Sequence, residues 1–141
     1  MTIRIKQRPV GVTATATADG SGSIDARSGA SAPLAVTPGR DGFTPLELLD
    51  AALAGCLAIS ARIAARRLGL DARLAEVRVE VRGQKADDPP SRIERQRSVF
   101  HLDGDLSEAE RALLIREAHT LCTVGISLER GLTVEDAADF P

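Results

Sequence analysis

Thr44-Pro45-Leu46-Glu47-Leu48-Leu49-Asp50-Ala51-Ala52-Leu53-Ala54-Gly55-Cys56-Leu57-Ala58-Ile59-Ser60-Ala61-Arg62-Ile63-Ala64-Ala65 is the stretch whose reading decides the fold. Thr44 can cap a helix, because its hydroxyl can take an orphan backbone N–H of the first turn. Pro45 falls at the first helical position, where its missing N–H costs nothing. Glu47, three residues after the cap, can reach back to the N–H of Thr44, which completes a capping box. From Leu48 to Ala65 the residues are apolar nearly all round, so the spacing predicts a helix buried on most sides. Asp50 lies near its positive end and Arg62, Arg66 and Arg67 near its negative end, as the helix dipole favours. Gly69 supplies the stop.

Upstream, residues 2–38 read as strands and turns. Thr13, Thr15 and Thr17 alternate with Ala14, Ala16 and Ala18, a period of two. Asp19-Gly20-Ser21-Gly22-Ser23 is a turn signal, and shorter extended pieces are expected at about 23–28 and 32–37. Pro38-Gly39-Arg40-Asp41-Gly42 is a loop. Downstream, Ala75 to Val81 alternates apolar residues with Glu76, Arg78, Glu80 and Arg82, as a half-buried antiparallel strand does. Asp87-Asp88-Pro89-Pro90 turns the chain, and Ile93 to Leu102 is the returning strand. Ser107-Glu108-Ala109-Glu110 is a second capping box, opening a helix with an apolar stripe of Leu114, Ala118 and Leu121. A short turn or helix after Gly125 and a last strand at Thr133-Val134 complete the reading. Strands, long helix, hairpin, helix and strand make an α+β fold, expected as a single domain over residues 1–141.

The 141 residues are enough for one hydrophobic core. Hydrophobic residues make up 43% and charged residues 27% of the chain, the balance of a globular protein. The core must be aliphatic, because Trp and Tyr are missing and the aromatics are Phe43, Phe100 and Phe140. A net charge of −2 and so few rings to stack on bases argue against a nucleic-acid binder. The basic run Arg92–Arg97 reads as the solvated face of a strand. The N-terminus alternates charges with apolar residues, unlike a signal peptide. No segment is read as reaching the ~18 apolar residues of a membrane span. A cytoplasmic location without membrane attachment is therefore expected. In that compartment two cysteines are redox-active, buried or metal-bound rather than a permanent staple.

Cys56 lies mid-helix among alanines and leucines, and Cys122 ends the apolar stripe of the later helix. Taken locally, each can be an inert packing residue or a reactive thiol. Metal binding is disfavoured by the donor set: two Cys, two His and no Cys-x-x-Cys pair. His119 stands three residues before Cys122 on one helical face, where it can serve a thiol as a base or simply cap the helix.

Thr44-Pro45-Leu46-Glu47-Leu48-Leu49 followed by Ala51-Ala52-Leu53-Ala54-Gly55-Cys56 resembles the N/S-P-x-E-L-L…A-x-x-x-C signature of the OsmC/Ohr family. The names stand for osmotically inducible protein C and organic hydroperoxide resistance protein. Cys122-Thr123-Val124…Leu128 resembles that family's C-P-V…L segment. The separation of the two cysteines and the order of elements also match over essentially the whole chain.

The resemblance implies an OsmC-like fold in which antiparallel sheets wrap a long buried central helix, assembled as an intertwined homodimer. It also implies thiol-dependent reduction of organic hydroperoxides. Cys56 would be the peroxidatic thiolate, oxidised to a sulfenic acid, and Cys122 would condense with it to form a disulfide. A dithiol donor, lipoyl-type in the better-known members, would reopen the pair. No bound organic cofactor or metal is implied. A buried thiolate needs a cation nearby. Arg40 resembles the arginine of the OsmC branch and Arg27 is the alternative, because the Ohr branch draws its arginine from the N-terminal strands. Glu47 would either hold that arginine or serve only as the capping acid.

Three departures from the family pattern bear on this expectation. Peroxidase members carry Glu directly after the helix-opening Pro, where this chain has Leu46. One residue is about 100° of helix, so Glu47 need not face the same partner. Thr123 stands in place of the usual Pro after the second cysteine. The loop before the helix lacks the Gly-rich, aromatic character of the Ohr branch, although Phe43, Leu46 and Ile59 could line an apolar mouth. A non-enzymatic redox sensor, or a binder of a small apolar ligand, is the alternative expectation.

Overall fold

The structure, a computed structural model, describes residues 11–37 and 39–140. The expected extended residues 2–10 and Pro38 of the loop lie outside the described residues. The element order is β1 (Val12–Ala16), β2 (Gly22–Ala26), β3 (Ser31–Pro33), α1 (Pro45–Arg67), a 3-10 turn (Asp71–Arg73), β4 (Leu74–Lys85), β5 (Ile93–Gly104), α2 (Glu108–Leu121) and α3 (Thr123–Arg130). Antiparallel sheets and separate helices make this an α+β fold. Contacts divide the chain into one unit ending at Leu48 and a second beginning at Leu49.

The first unit is an antiparallel meander, β1-β2-β3. Val12 pairs with Ala26 and Ala16 with Gly22, so the Thr/Ala alternation lies on a sheet as expected. The β1–β2 turn is closed by Asp19, whose carboxylate accepts from the Thr17 hydroxyl and from the N–H and hydroxyl of Ser21. These donors hold the Asp19 carboxyl down at about 2. After β3, Leu34 and Phe43 form a parallel bridge. Gly42 is required here: its φ is +120°, and a Cβ would lie 2.6 Å from the Pro33 carbonyl oxygen. The capping box of α1 forms in both directions, with Thr44 N–H donating to Glu47 Oε2 at 2.8 Å and Glu47 N–H to Thr44 Oγ1 at 3.2 Å.

The second unit places one face of α1 on the inner face of the β4–β5 hairpin. Val77, Val79 and Val81 face Leu102, Phe100 and Ser98 across the ladder. Their inner side chains pack on α1 in two clusters. One gathers Ala64, Ala65, Leu70, Leu74, Leu106 and Leu114. The other centres on Leu53, Leu57 and Cys122, with Cys56, Val79 and Phe100 against it. The outer face carries charge: Arg82 stands opposite Arg97, and Gln84 opposite Arg95. Asp50 ties α1 to the hairpin, accepting from Gly83 N–H at 3.2 Å and from Gln96 Nε2 at 2.7 Å. This gives the residue read as a dipole acid a second, tertiary role. Arg111 donates to the carbonyls of Leu102, Gly104 and Leu106, closing the end of β5. In α2, Ser107 and Glu110 form the expected capping box, and Leu114 and Ala118 are buried.

Four expectations change. Helix α1 is not buried on most sides: Leu53, Leu57, Ser60, Ala61, Ala64 and Ala65 are buried, but Ala52, Gly55, Ile59 and Ile63 are exposed. One hairpin and two short helices can cover only one side of a helix. By length and composition alone α1 is apolar enough to cross a membrane, contrary to the reading of the sequence. The packed face gives it the role of a core helix, which meets the same criterion. Helix α3 starts at Thr123, before Gly125, because Cys122 caps it. Residues 131–140 form no strand: Thr133-Val134 pairs with nothing among the described residues, and Leu132 and Val134 are 69% and 91% exposed.

Candidate active site

Cys56 projects from α1 into the cluster that contains Cys122, so the fold brings together two thiols far apart in the chain. Both are free. Cys56 is half-buried and Cys122 is completely buried. Leu53, about one turn before Cys56 on α1, and the adjacent Leu57 wall the pair with Val79, Val81 and Phe100 from the hairpin and Val124 and Leu128 from α3. The surroundings are apolar, as the expected chemistry requires.

Cys122 occupies the corner between α2 and α3. It ends one helix and caps the next, with extended backbone at φ −78° and ψ 98°. Its N–H donates to the His119 carbonyl at 3.4 Å, and its carbonyl accepts from Ile126 N–H at 3.0 Å. Its sulfur accepts the N–H of Gly125 at 3.3 Å, so the thiol takes the part usually played by a Ser or Asp cap. Burial pushes the Cys122 thiol above its ordinary pKa; the Gly125 N–H opposes this, and the neighbouring Cys56 thiol adds to it. Thr123 opens α3 without the proline of the family segment and leaves the cap intact.

The other candidates sit as follows. Glu47 is exposed and engaged in the capping box. Arg40 is exposed, and its guanidinium donates to the Asp19 carbonyl at 3.3 Å. No ion pair joins Arg40 to Glu47. Arg27 is exposed, with its stem lying over Gly11. His119 is exposed and meets Phe100 edge-on, ring centroids 5.7 Å apart. Phe43, Leu46 and Ile59 are 48%, 42% and 65% exposed. Among the described residues, no group of three or more His, Cys, Asp or Glu is gathered to hold a metal.

A cavity of about 340 Å³ opens beside the thiols, lined by Leu49, Leu53, Ser98, His119, Gly125 and Leu128 among others. Its apolar wall comes from α1 and α3, and its polar wall from β5. The sequence reading did not single out Gly125, although it stands between this cavity and the Cys122 sulfur. The available signal was a helix-disfavouring glycine three residues after a cysteine, the spacing at which a cap meets its donor.

The model of the OsmC-like protein family matches residues 38–135, more than half of the chain. The chain belongs to the OsmC-like family. Solved structures agree on the fold. The OsmC-like protein of Mycoplasma pneumoniae is 19% identical, with 88% of this chain and 89% of that one covered and a TM-score of 0.76. The organic hydroperoxide resistance protein OhrB of Bacillus subtilis is 20% identical over 85% of this chain and 90% of its own, with a TM-score of 0.68. An organic hydroperoxide resistance protein of Elizabethkingia anophelis is 17% identical over 86% and 89%, with a TM-score of 0.62. At these identities the likeness shows a shared OsmC-like fold. No curated protein matches.

Proposed function

We propose that this OsmC-like protein is a cytoplasmic thiol peroxidase that reduces organic hydroperoxides. The observation that carries the reading is the pair itself: a half-buried Cys56 against a fully buried Cys122 in one apolar cluster. The Cys56 thiolate would attack the distal peroxide oxygen, releasing an alcohol and leaving Cys56 as a sulfenic acid. Cys122 would then displace water to form the disulfide. A dithiol, of lipoyl type or similar, would restore both thiols. Apolar walls suit an organic rather than a fully hydrated peroxide. Arg40, with Arg27 as the alternative, is proposed as the cation that favours the thiolate, and Glu47 as its holder when released from the cap.

The working form is proposed to be a homodimer. Ala52, Gly55, Ile59 and Ile63 recur every three or four residues as an uncovered apolar stripe on α1, which a second copy would bury.

The test is kinetic. Reduced protein receives cumene hydroperoxide, and free thiols are titrated over time. The expected result is rapid loss of both thiols, sustained turnover with dihydrolipoamide, and no consumption by Cys56→Ser. One observation favours a second reading, a redox sensor: Glu47 is engaged in its cap and Arg40 bonds the Asp19 carbonyl. Slow oxidation without turnover would support the sensor, and two inert thiols would refute both.

A further inference from the structure

Two properties of Cys122 bear on how an oxidised pair is reopened. Its side chain has no exposure, whereas Cys56 is half-buried. Its sulfur also accepts the N–H of Gly125, at 3.3 Å, from the first turn of α3. Thiol–disulfide exchange is an in-line displacement: the attacking thiolate must reach one sulfur, and the other departs with the bonding pair. A sulfur enclosed on every side is a poor target, and a donor already pointing at it offsets part of the cost of its leaving as a thiolate.

We propose that the Cys56–Cys122 disulfide opens from one side only: the dithiol attacks Sγ of Cys56, and Cys122 departs as a thiolate held by the Gly125 N–H. This rests on the disulfide-forming reading of the pair. The first thiolate of the reductant bonds to Cys56 as the Cys56–Cys122 bond breaks. The electron pair of that bond stays on Cys122, which then takes a proton from solvent. The second thiolate of the reductant bonds to its first sulfur and displaces Cys56 as a thiolate. The reductant becomes a cyclic disulfide, and two electrons have passed to the cysteine pair.

Gly125 is a positioning residue in this scheme, and its lack of a side chain serves it. A Cβ there would stand 3.3 Å from the Cys122 sulfur and 3.5 Å from Leu53 Cδ1, crowding the atom that the N–H must hold. Burial raises the pKa of Cys122, so enclosure and not leaving-group quality sets the side of attack, and the released thiolate reprotonates readily. The protonated thiol does not attack back on the mixed disulfide, so the peroxide-reactive Cys56 remains the single point of entry.

The experiment determines which sulfur is attacked. Protein oxidised with diamide, which bypasses the peroxide step, is mixed with substoichiometric glutathione, a monothiol that stops at the mixed disulfide. The mixture is quenched with acid, alkylated with N-ethylmaleimide and mapped by mass spectrometry. The expected result is glutathione on Cys56 over Cys122 by about tenfold or more, with N-ethylmaleimide on Cys122. Equal labelling of the two, or no adduct on Cys56, overturns the inference, as does failure of diamide to join the pair. A parallel sample oxidised with cumene hydroperoxide separates the two readings. No disulfide there, together with a diamide disulfide that opens at Cys56, refutes the peroxidase and supports this inference.

Discussion

At the scale of single residues, the site's chemistry was only half legible in the sequence. Cys56 and Cys122 could be singled out because they are the only two thiols, but each alone fits an inert packing role. Only the folded cluster makes them neighbours. Gly125 and Asp50 show why the rest stayed hidden. The Gly125 contribution is a backbone N–H, which no residue type announces. The Asp50 partners, Gly83 and Gln96, are 33 and 46 positions away. Asp50→Ala would remove the acceptor for both. Gly83 is exposed and water can take its N–H, so urea unfolding should show the net worth of such bonds, about 0.5–1.5 kcal/mol, rather than the penalty of a buried orphan. A loss below about 0.5 kcal/mol would mean that water replaces the carboxylate without penalty.

At the scale of elements, local rules were reliable wherever a motif closed on itself. Both capping boxes formed at the expected residues, because every partner lies within four positions. The β4–β5 alternation likewise settled which side chains face inward. The tail after Gly131 failed, because a strand needs a partner and none is supplied among the described residues. The second box carries a pH prediction. Glu110 accepts from Ser107 N–H and pairs with Arg73, and Arg73 is the larger cause holding its carboxyl at about 2, below the ordinary 4.5. A carboxyl depressed in the folded state stabilises fully above its unfolded pKa, and that contribution fades as pH falls toward the folded value. Between about pH 4.5 and 2, wild type should therefore lose thermal stability more steeply than Glu110→Gln. Parallel melting curves across that window would contradict the assignment.

At the scale of the molecule, the α+β class was readable from element order, and the family match over residues 38–135 agrees with it. The extent of burial of α1 was not readable. Composition shows that a helix is apolar all round, but not whether one chain can cover it. The exposed stripe makes assembly the natural whole-molecule test. Ile59 is 65% exposed, so a charge placed there costs an isolated chain little. Ile59→Arg should leave the circular dichroism spectrum unchanged while light scattering behind a sizing column reports a halved mass. An unchanged mass would show that this stripe is not the seam.

The facing arginines of the hairpin have a consequence of their own. Arg82 and Arg97 hold like charges side by side on a solvent-facing ladder, an arrangement that opposes strand pairing. Dissolved anions relieve it by gathering between the two guanidinium groups, and they do so over a distance that shrinks as ionic strength rises. The hairpin tip that Asp50 clasps is therefore held more firmly in a salty medium than in a dilute one.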